Sequence, residues 1–218
     1  MDNVTHALPP VGRLYLWAAQ RLYNELAWGY DLAAWIVSAG RWDRWRRMAL
    51  EYVQQQPVLE VGFGTGHLLA AMAQRGWSAV GVDSSPAMQR QAAATLRRSG
   101  PFVPRLQGRA QQLPFADASF GSIVSTFPAE YIVDPASLAE FYRVLKPGGR
   151  LIVAGLFVSL DLDWPAWRWL NRQVFGATSA SPLTRVEQRC WSAGLAMQVL
   201  WRDDPPWRMP IILAERSP

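Results

Sequence analysis

A glycine-rich turn constrains the fold of this chain more than any other stretch. The apolar residues 58–61 before it predict a short buried strand, and the apolar positions in 68–72 after it predict a helix face. The glycines between them are Gly62, Gly64 and Gly66. They let the backbone turn sharply and leave no Cβ between the backbone and a ligand. A strand, a glycine turn and a helix at the start of an α/β unit are typical of a nucleotide-cofactor site.

The spacing of the glycines argues against two common classes of nucleotide site. The dinucleotide fingerprint places its third glycine three positions after the second, and His67 occupies that position here. The turn therefore does not fit NAD or FAD. No Gly-Lys-Ser or Gly-Lys-Thr follows, so the turn is not a P-loop either.

A carboxylate ends the next predicted strand, which covers residues 77–83. Asp83 lies 21 residues after Gly62, close to the separation of about 20 at which an acid reaches the hydroxyls of a ribose. A glycine turn and an acidic strand end at this separation occur together by chance far less often than either does alone. The sequence therefore predicts a cofactor that contains a ribose.

Four ordered motifs resemble those of the class I S-adenosylmethionine (SAM)-dependent methyltransferases. They are VLEVGFGTGHLL, GVDSSPAM, GRAQQLPFADASFGSIVS and EFYRVLKPGGRLIV. The pattern is most similar to the small-molecule branch that includes the ubiquinone/menaquinone-biosynthesis and phospholipid methyltransferases. The resemblance covers roughly residues 55–157 and, more loosely, the end of the chain. It implies SAM as cofactor and S-adenosylhomocysteine as product, and it leaves the acceptor open.

The order of the predicted elements indicates an α/β fold. Strands are expected at 57–61, 77–83, 102–107, 119–125, 150–157, 195–202 and 209–215. Helices are expected at 66–75, 86–99, 135–145 and 183–193, with Ser84 or Ser85 capping the second and Asp134 the third. The resemblance implies a Rossmann-like, doubly wound, seven-stranded sheet with an antiparallel final hairpin.

Two aromatic-rich regions flank this core. Residues 1–55 are expected to form an N-terminal helical cap, and residues 56–218 a SAM-binding domain with a tryptophan-rich insertion at about 160–182. Of the 12 tryptophans, only Trp77 lies between residues 46 and 163. The flanks are therefore expected to build an apolar acceptor pocket, a membrane-facing surface or a cover for the core.

Local patterns predict helices within both flanks. In the cap they lie at 14–28, from Asp31 to about Ser38 with Asp31 as the N-cap, and at 42–55. In the insertion a helix at 165–175 is expected to form a lid over the acceptor. Packing of that helix on the core and contact with an anionic membrane are the alternatives.

The resemblance assigns cofactor contacts residue by residue. Glu60 would face the amino end of the methionine moiety, with bonding to loop amides as the alternative. Asp83 would accept hydrogen bonds from both ribose hydroxyls. The three glycines would let the backbone approach the cofactor. The other expected neighbours of the cofactor are Tyr30, Ser84, Met88, Ala110, Gln111, Thr126 and Phe127.

Adenine recognition departs from the family pattern. An acid often follows the glycine after the third strand in the family, but Arg109 stands there in this chain. Arginine only donates hydrogen bonds, so it cannot accept from the adenine amino group. The backbone of Ala110 and the side chain of Gln111 are expected to serve instead. Met88 would contact the adenine or simply pack in its helix, and the sequence favours neither.

Methyl transfer from a sulfonium depends mainly on positioning, so no catalytic triad is required. Glu130 and Tyr131 are candidates for orienting an acceptor or accepting its proton, and a surface role for Glu130 is equally compatible. His67 is expected to be an exposed turn residue. Cys190 is expected to be a buried apolar side chain. With two histidines and one cysteine, no metal site is expected.

Charge and composition restrict the partners. The net charge is +5, with a local arginine cluster at 41–47, which is compatible with anionic lipid or nucleic acid. No nucleic-acid-binding module is recognisable, which makes nucleic acid unlikely. A single cysteine, the lack of a secretory signal and the lack of a spanning segment predict a cytoplasmic protein, with peripheral membrane contact as the alternative.

The predicted function is transfer of a methyl group from SAM to a small-molecule or lipid-like acceptor. One alternative is a SAM-dependent methyltransferase of protein or nucleic acid. The Asn/Asp-Pro-Pro-Tyr/Phe tetrapeptide typical of amino-methylating nucleic-acid enzymes is absent after residue 125. A second alternative is a SAM-binding module without catalysis. The sequence leaves the acceptor and the oligomeric state open.

Overall fold

A mixed β-sheet forms the centre of the fold in the computed structural model, which describes residues 21, 29–100, 102–160 and 182–217. The expected helix at 14–28, apart from Arg21, and the expected lid helix at 165–175 lie outside the described residues. Helices that precede and follow the strands pack on both faces of this sheet.

Eight strands make up the sheet in the described part of the chain. They are β1 (Val58–Val61), β2 (Ala79–Asp83), β3 (Arg105–Gln107), β4 (Phe120–Thr126), β5 (Leu145–Ala154), β6 (Ser159–Leu160), β7 (Leu195–Asp204) and β8 (Trp207–Arg216). The seven longer ones run in the order β3-β2-β1-β4-β5-β8-β7. β1 to β5 pair in parallel, and β8 is antiparallel to both β5 and β7. The predicted doubly wound sheet with an antiparallel final hairpin is confirmed.

The helices follow the predicted order. They are α1 (Tyr30–Val37), α2 (Trp42–Met48), α3 (His67–Gln74), α4 (Pro86–Ser99), α5 (Pro135–Val144) and α6 (Pro182–Ser192). Single 3-10 turns follow α2 at Ala49–Tyr52 and precede α5 at Glu130–Val133. The expected helix at 42–55 is therefore shorter than predicted and ends in a 3-10 turn.

Side-chain caps begin two of the core helices. The Ser85 hydroxyl accepts from the Met88 backbone N–H at 3.3 Å, and the Asp134 carboxylate accepts from that of Ala136 at 2.9 Å. In both helices a proline occupies the first turn, where its missing N–H costs no hydrogen bond. The prediction that Asp31 caps α1 is wrong. Gly29 precedes the helix, and the Asp31 carboxylate instead binds two side chains of the glycine turn region.

The strands near the end of the chain differ from the predicted bounds. β5 begins at Leu145, before the predicted start at residue 150, and its register against β4 shifts between Phe120 and Ser122. The final hairpin has longer strands than predicted, because pairing continues to Asp204 and Trp207 and leaves a two-residue loop. The short β6 was not predicted. It pairs with the first residues of β8, on the edge of β8 that β5 also uses.

Two hydrophobic cores lie on opposite faces of the sheet. Side chains alternate along β1, so that Val58 joins the core with α3 and α4, whereas Leu59 and Val61 join the core with α5 and α6. Large side chains such as Phe141 are completely buried, and each contributes roughly 1.5–3 kcal/mol. Cys190 lies in the second core at 1 % exposure, and burial raises the pKa of its thiol to about 11. The prediction of a buried apolar cysteine is confirmed.

The close packing of α3 on α4 yields a prediction about Gly66. Its φ is +80°, and a Cβ there would lie 2.9 Å from the Cβ of Ala92. Gly76 has a similar φ of +70°, but a Cβ added to it would have no atom within 4 Å. Gly76→Ala should therefore lower the free energy of unfolding by about 1–2 kcal/mol for the backbone alone. Gly66→Ala should cost a further ~1–3 kcal/mol for the steric overlap.

Denaturant unfolding of both variants measures this difference. Equal losses of stability in the two variants would show that α3 and α4 can separate without cost, contrary to the packing described here.

Candidate cofactor-binding site

The glycine turn has the backbone conformation that the sequence predicts. Gly62, Gly64 and Gly66 have φ values of +75°, +54° and +80°, which L-residues with side chains rarely adopt. The Gly62 N–H donates to the Val82 carbonyl at 2.7 Å and so keeps the start of the turn in the sheet. Gly66 then forms the N-terminal boundary of α3. Gly66 is required by its contact with Ala92, which the sequence pattern does not reveal.

Asp83 fixes the turn against the end of β2. The side chain is only 2 % exposed. One carboxylate oxygen accepts from the Gly64 N–H and the other from the Ser85 N–H, each at 2.8 Å. Hydrogen bonds from backbone amides to a carboxylate are charge-assisted and strong. The carboxylate is therefore held in one orientation beside the glycine turn, where the sequence places a ribose-binding acid.

Glu60 is a buried carboxylic acid at the end of β1. It is 1 % exposed, and its Oε2 has no hydrogen-bond partner among the described residues. Burial raises the pKa of Glu60 to about 8, because the Arg46 guanidinium opposes the shift only in part and the nearby charge of Asp83 adds to it. A buried acid with an unpaired oxygen is a favourable position for a cationic ligand group.

Tyr131 closes the site beside the first glycine. Its hydroxyl donates to the Val61 carbonyl at 3.0 Å and lies 2.8 Å from the Ser125 hydroxyl. A Cβ on Gly62 would collide with this hydroxyl, so the glycine is needed for the approach of the ring. Burial raises the pKa of Tyr131 above its ordinary value. The phenol therefore stays protonated and is suited to donating a hydrogen bond rather than to accepting a proton.

The start of α1 covers the start of α4. Tyr30 packs against Ala87 and the fully buried Met88, which lie in the first turn of α4 beside Asp83. This contact brings the start of α1 to the first turn of α4. Met88 packs in the described structure, so the packing interpretation holds for it whether or not it also faces a ligand.

Asp31 binds the glycine turn region from the cap. Its carboxylate accepts from the Thr65 hydroxyl at 2.9 Å and lies 3.0 Å from Nε2 of His67. Partial burial opposes ionisation, but the His67 and Thr65 contacts outweigh it and lower the pKa of Asp31. His67 is partly exposed, at 37 % of its side chain. The sequence predicts an exposed turn residue at His67 and does not predict its contact with Asp31. The two residues are 36 positions apart, and no local sequence pattern joins them.

An aromatic stack borders the end of β4. Phe127 follows Thr126, the last residue of β4, and has a φ of +49°. A bulky residue in this region costs about 1–3 kcal/mol. The ring stacks on Trp42 with centroids 3.7 Å apart and planes 19° apart, and Gly155 leaves the space for it. Trp45 and Trp207 extend the cluster toward the final hairpin.

The remaining predicted residues have mixed positions. Ala110 is buried in the second core, and the Gln111 side-chain amide donates to Asp134 at 2.9 Å. This hydrogen bond is the largest cause of the lowered pKa of Asp134. Ser84 is exposed directly after β2, and Glu130 is exposed at the start of a 3-10 turn.

The structure therefore brings one group of predicted residues together at the ends of β1, β2 and β4. The parallel registers of these strands place Glu60, the glycine turn, Asp83 and Thr126 at one edge of the sheet. Glu130, unlike these residues, is exposed. Within the described ranges, no group of three or more His, Cys, Asp or Glu side chains is arranged to hold a metal ion.

Comparison with known proteins agrees with this geometry. Residues 59–153 match the family model described as a methyltransferase domain. The chain is 35 % identical over 137 residues to the demethylmenaquinone methyltransferase of Renibacterium salmoninarum, covering 61 % of this chain and 56 % of that protein. It is 33 % identical over 163 residues to the demethylmenaquinone methyltransferase of Symbiobacterium thermophilum, covering 70 % of this chain and 62 % of that protein. The chain thus spans about three-fifths of the length of these curated relatives.

A solved structure shows the same fold at low sequence identity. It is phosphoethanolamine N-methyltransferase 2 of Haemonchus contortus in complex with phosphomonomethylethanolamine and S-adenosylhomocysteine. It superposes with a TM-score of 0.60 at 15 % identity, covering 82 % of this chain and 53 % of that one. The glycine turn, the acidic end of β2, the strand order and the family match lead to one assignment: the domain at residues 59–153 belongs to the class I SAM-dependent methyltransferases.

Proposed function

We propose that this chain transfers the methyl group of SAM to a small, lipid-like acceptor. The observation that carries the proposal is the pair of buried acids, Glu60 and Asp83, at the ends of adjacent parallel strands beside the glycine turn. A protein rarely buries an acid whose oxygen has no partner unless a ligand supplies one. SAM has a cationic ammonium group and a ribose, which match these two acids.

The residues of the site fit the parts of SAM in order. Glu60 would pair with the ammonium group, and this ion pair would favour the ionised carboxylate over the protonated one. Asp83, held by Gly64 and Ser85, would accept from the ribose hydroxyls. Gly62 would allow the backbone to approach the methionine moiety. Tyr30 would cover the cofactor from α1.

The adenine side is assigned to the residues after β2 and β3. Ser84 and Met88 follow Asp83, and Ala110 and Gln111 follow β3. Because the Gln111 nitrogen donates to Asp134, its amide oxygen is the group that we assign to the adenine amino group. The bond to Asp134 would set the orientation of this amide.

SAM supplies an activated methyl group on a sulfonium, so the protein has mainly to position the acceptor. Thr126 and Phe127, at the end of β4, would line the path to the methyl group, with Trp42 stacked on Phe127 as an apolar wall. Tyr131 would orient the acceptor through its phenolic oxygen, because its own hydrogen is donated to the Val61 carbonyl. Glu130 is exposed and would act only if an acceptor reaches that surface.

The apolar wall and the names of the relatives support the same class of acceptor. Trp42 and Phe127, which are partly buried, offer aromatic surface beside the strand end. The relatives are named demethylmenaquinone methyltransferases. Demethylmenaquinone is therefore the first acceptor to test with this chain.

The assignment of Asp83 predicts a loss of SAM affinity on substitution. Asp83→Asn keeps the size of the side chain but removes the charge, and hydrogen bonds to a charged group contribute about 1.5–3 kcal/mol. SAM affinity should fall at least ~10-fold in calorimetric titration. Glu187→Gln, an exposed position on α6, removes the same charge elsewhere and should bind like the parent. Equal affinity of Asp83→Asn and the parent would refute the ribose assignment.

The pKa of Glu60 predicts how stability depends on pH in the protein without ligand. Its pKa is about 8 in the fold, against an ordinary value of 4.5. Between these two values the folded protein keeps a proton that the unfolded chain has lost, so stability falls as the pH rises through this window. Glu60→Gln lacks this proton exchange, so its melting temperature should depend less on pH. The same variant should bind SAM more weakly, because it lacks the charge.

Melting curves across that pH range, with and without SAM, test both effects. If the melting temperatures of Glu60→Gln and the parent depend on pH in the same way, Glu60 is ionised in the free protein. Its unpaired oxygen would then no longer argue for a cationic ligand group at this position.

Turnover separates the proposal from its alternatives. Purified protein is incubated with SAM and demethylmenaquinone, and S-adenosylhomocysteine and methylated product are measured by mass spectrometry. We expect product with the parent and at least ~10-fold less with Asp83→Asn at limiting SAM. SAM binding without product formation from apolar acceptors would favour a non-catalytic module or another acceptor class.

A further inference from the structure

Helix α1 has an apolar face that contacts solvent. Leu32, Trp35 and Ile36 are 61 %, 60 % and 63 % exposed, and Val37 at the end of the helix is 72 % exposed. The first three follow the i, i+3, i+4 spacing that places side chains on one face of a helix. The opposite face is fixed to the protein through the buried Ala34 and through Asp31.

The clustering of these side chains is unusual for the described surface. The other large apolar side chains that are exposed are Phe102, Leu106, Trp191 and Trp201, and they are distributed over four different segments. Single exposed apolar residues are normal, whereas a contiguous group marks an interaction surface. The face of α1 therefore has the features of an interaction surface.

Basic side chains lie directly after this face. Arg44 and Arg47 are 68 % and 43 % exposed, and Arg41 is 35 % exposed. Arg41 and Arg44 share one acid, Asp204, which is largely buried. Counting Arg46, the segment 41–47 has four arginines and one acid, Asp43. Four arginines against the two acids that pair with them, Asp43 and Asp204, leave an excess of two positive charges in the segment that follows α1.

We propose that α1 binds the surface of an anionic lipid bilayer. Leu32 and Ile36 would enter the boundary between headgroups and acyl chains, Trp35 would lie at that boundary, and the arginines would pair with lipid phosphates. The excess of positive charge that follows this face favours an anionic surface as the partner. An eight-residue helix is roughly 12 Å long, so it lies in the interface and does not cross the bilayer.

The position of this face connects it to the cofactor-binding site. On the side of α1 away from the bilayer, Asp31 binds Thr65 and His67, and Tyr30 packs on Met88. Bilayer binding would therefore place the carboxyl edge of the sheet one helix diameter from the lipid. This inference goes beyond the proposed function, and its test requires neither SAM nor an acceptor.

Co-sedimentation with vesicles tests the proposal. Full-length protein is mixed with vesicles of phosphatidylcholine alone or of phosphatidylcholine and phosphatidylglycerol in equal amounts. We expect binding to the anionic vesicles that weakens at high salt, because salt screens the arginines. The double variant Trp35→Ala/Ile36→Ala should partition at least ~10-fold less. The double variant Arg44→Gln/Arg47→Gln should bind less to the vesicles that contain phosphatidylglycerol, and its binding to phosphatidylcholine alone should change less.

Trp191→Ala provides the matched control. Trp191 is 77 % exposed on α6, outside the α1 face, and its loss should leave vesicle binding unchanged. Melting temperatures verify that the variants are folded. The proposal is overturned if the parent fails to bind anionic vesicles, or if the α1 variant binds as the parent does. It is also overturned if light scattering shows a dimer that the α1 variant converts to a monomer, since the face would then bind a second copy.

Discussion

The site depends on the hydrogen bonds between the Asp83 carboxylate and two backbone amides. Gly64 belongs to the turn after β1, and Ser85 begins the helix after β2. A single buried carboxylate therefore joins the ends of two parallel strands and the cap of α4. Because the charge is desolvated, these bonds are strong and would be costly to break. The shape of the glycine turn follows from this connection.

Several contacts attach helices α1 and α2 to the same edge. Asp31 binds Thr65 and His67, Trp42 stacks on Phe127, and the Trp45 indole donates to Asp204 at 2.8 Å. These contacts join the cap to the glycine turn, to the end of β4 and to the final hairpin. Helices α1 and α2 thereby lie against the carboxyl edge of the sheet, where α/β proteins bind their ligands.

Energetically unfavourable features concentrate at this edge. Glu60 has a buried oxygen without a partner among the described residues, and Phe127 has a positive φ. The packed strands β1 and β4, whose residues are all buried, hold both features in place. Unpaired buried acids and strained residues persist mainly at functional sites, since the stable surroundings compensate for them. Their position agrees with the placement of the cofactor.

Local chemistry allowed the sequence to determine the order of elements, the glycine turn, the acid at the end of β2 and a serine cap at position 84 or 85. Each of these depends on residues within a few positions of one another, so that periodicity, glycine and capping preferences suffice. Only the tertiary structure decided that Asp31 binds His67, that Gly66 is required by Ala92 and that Trp42 stacks on Phe127. These partners come from distant segments, and only the packing of the cap and helices on the sheet brings their side chains within contact distance.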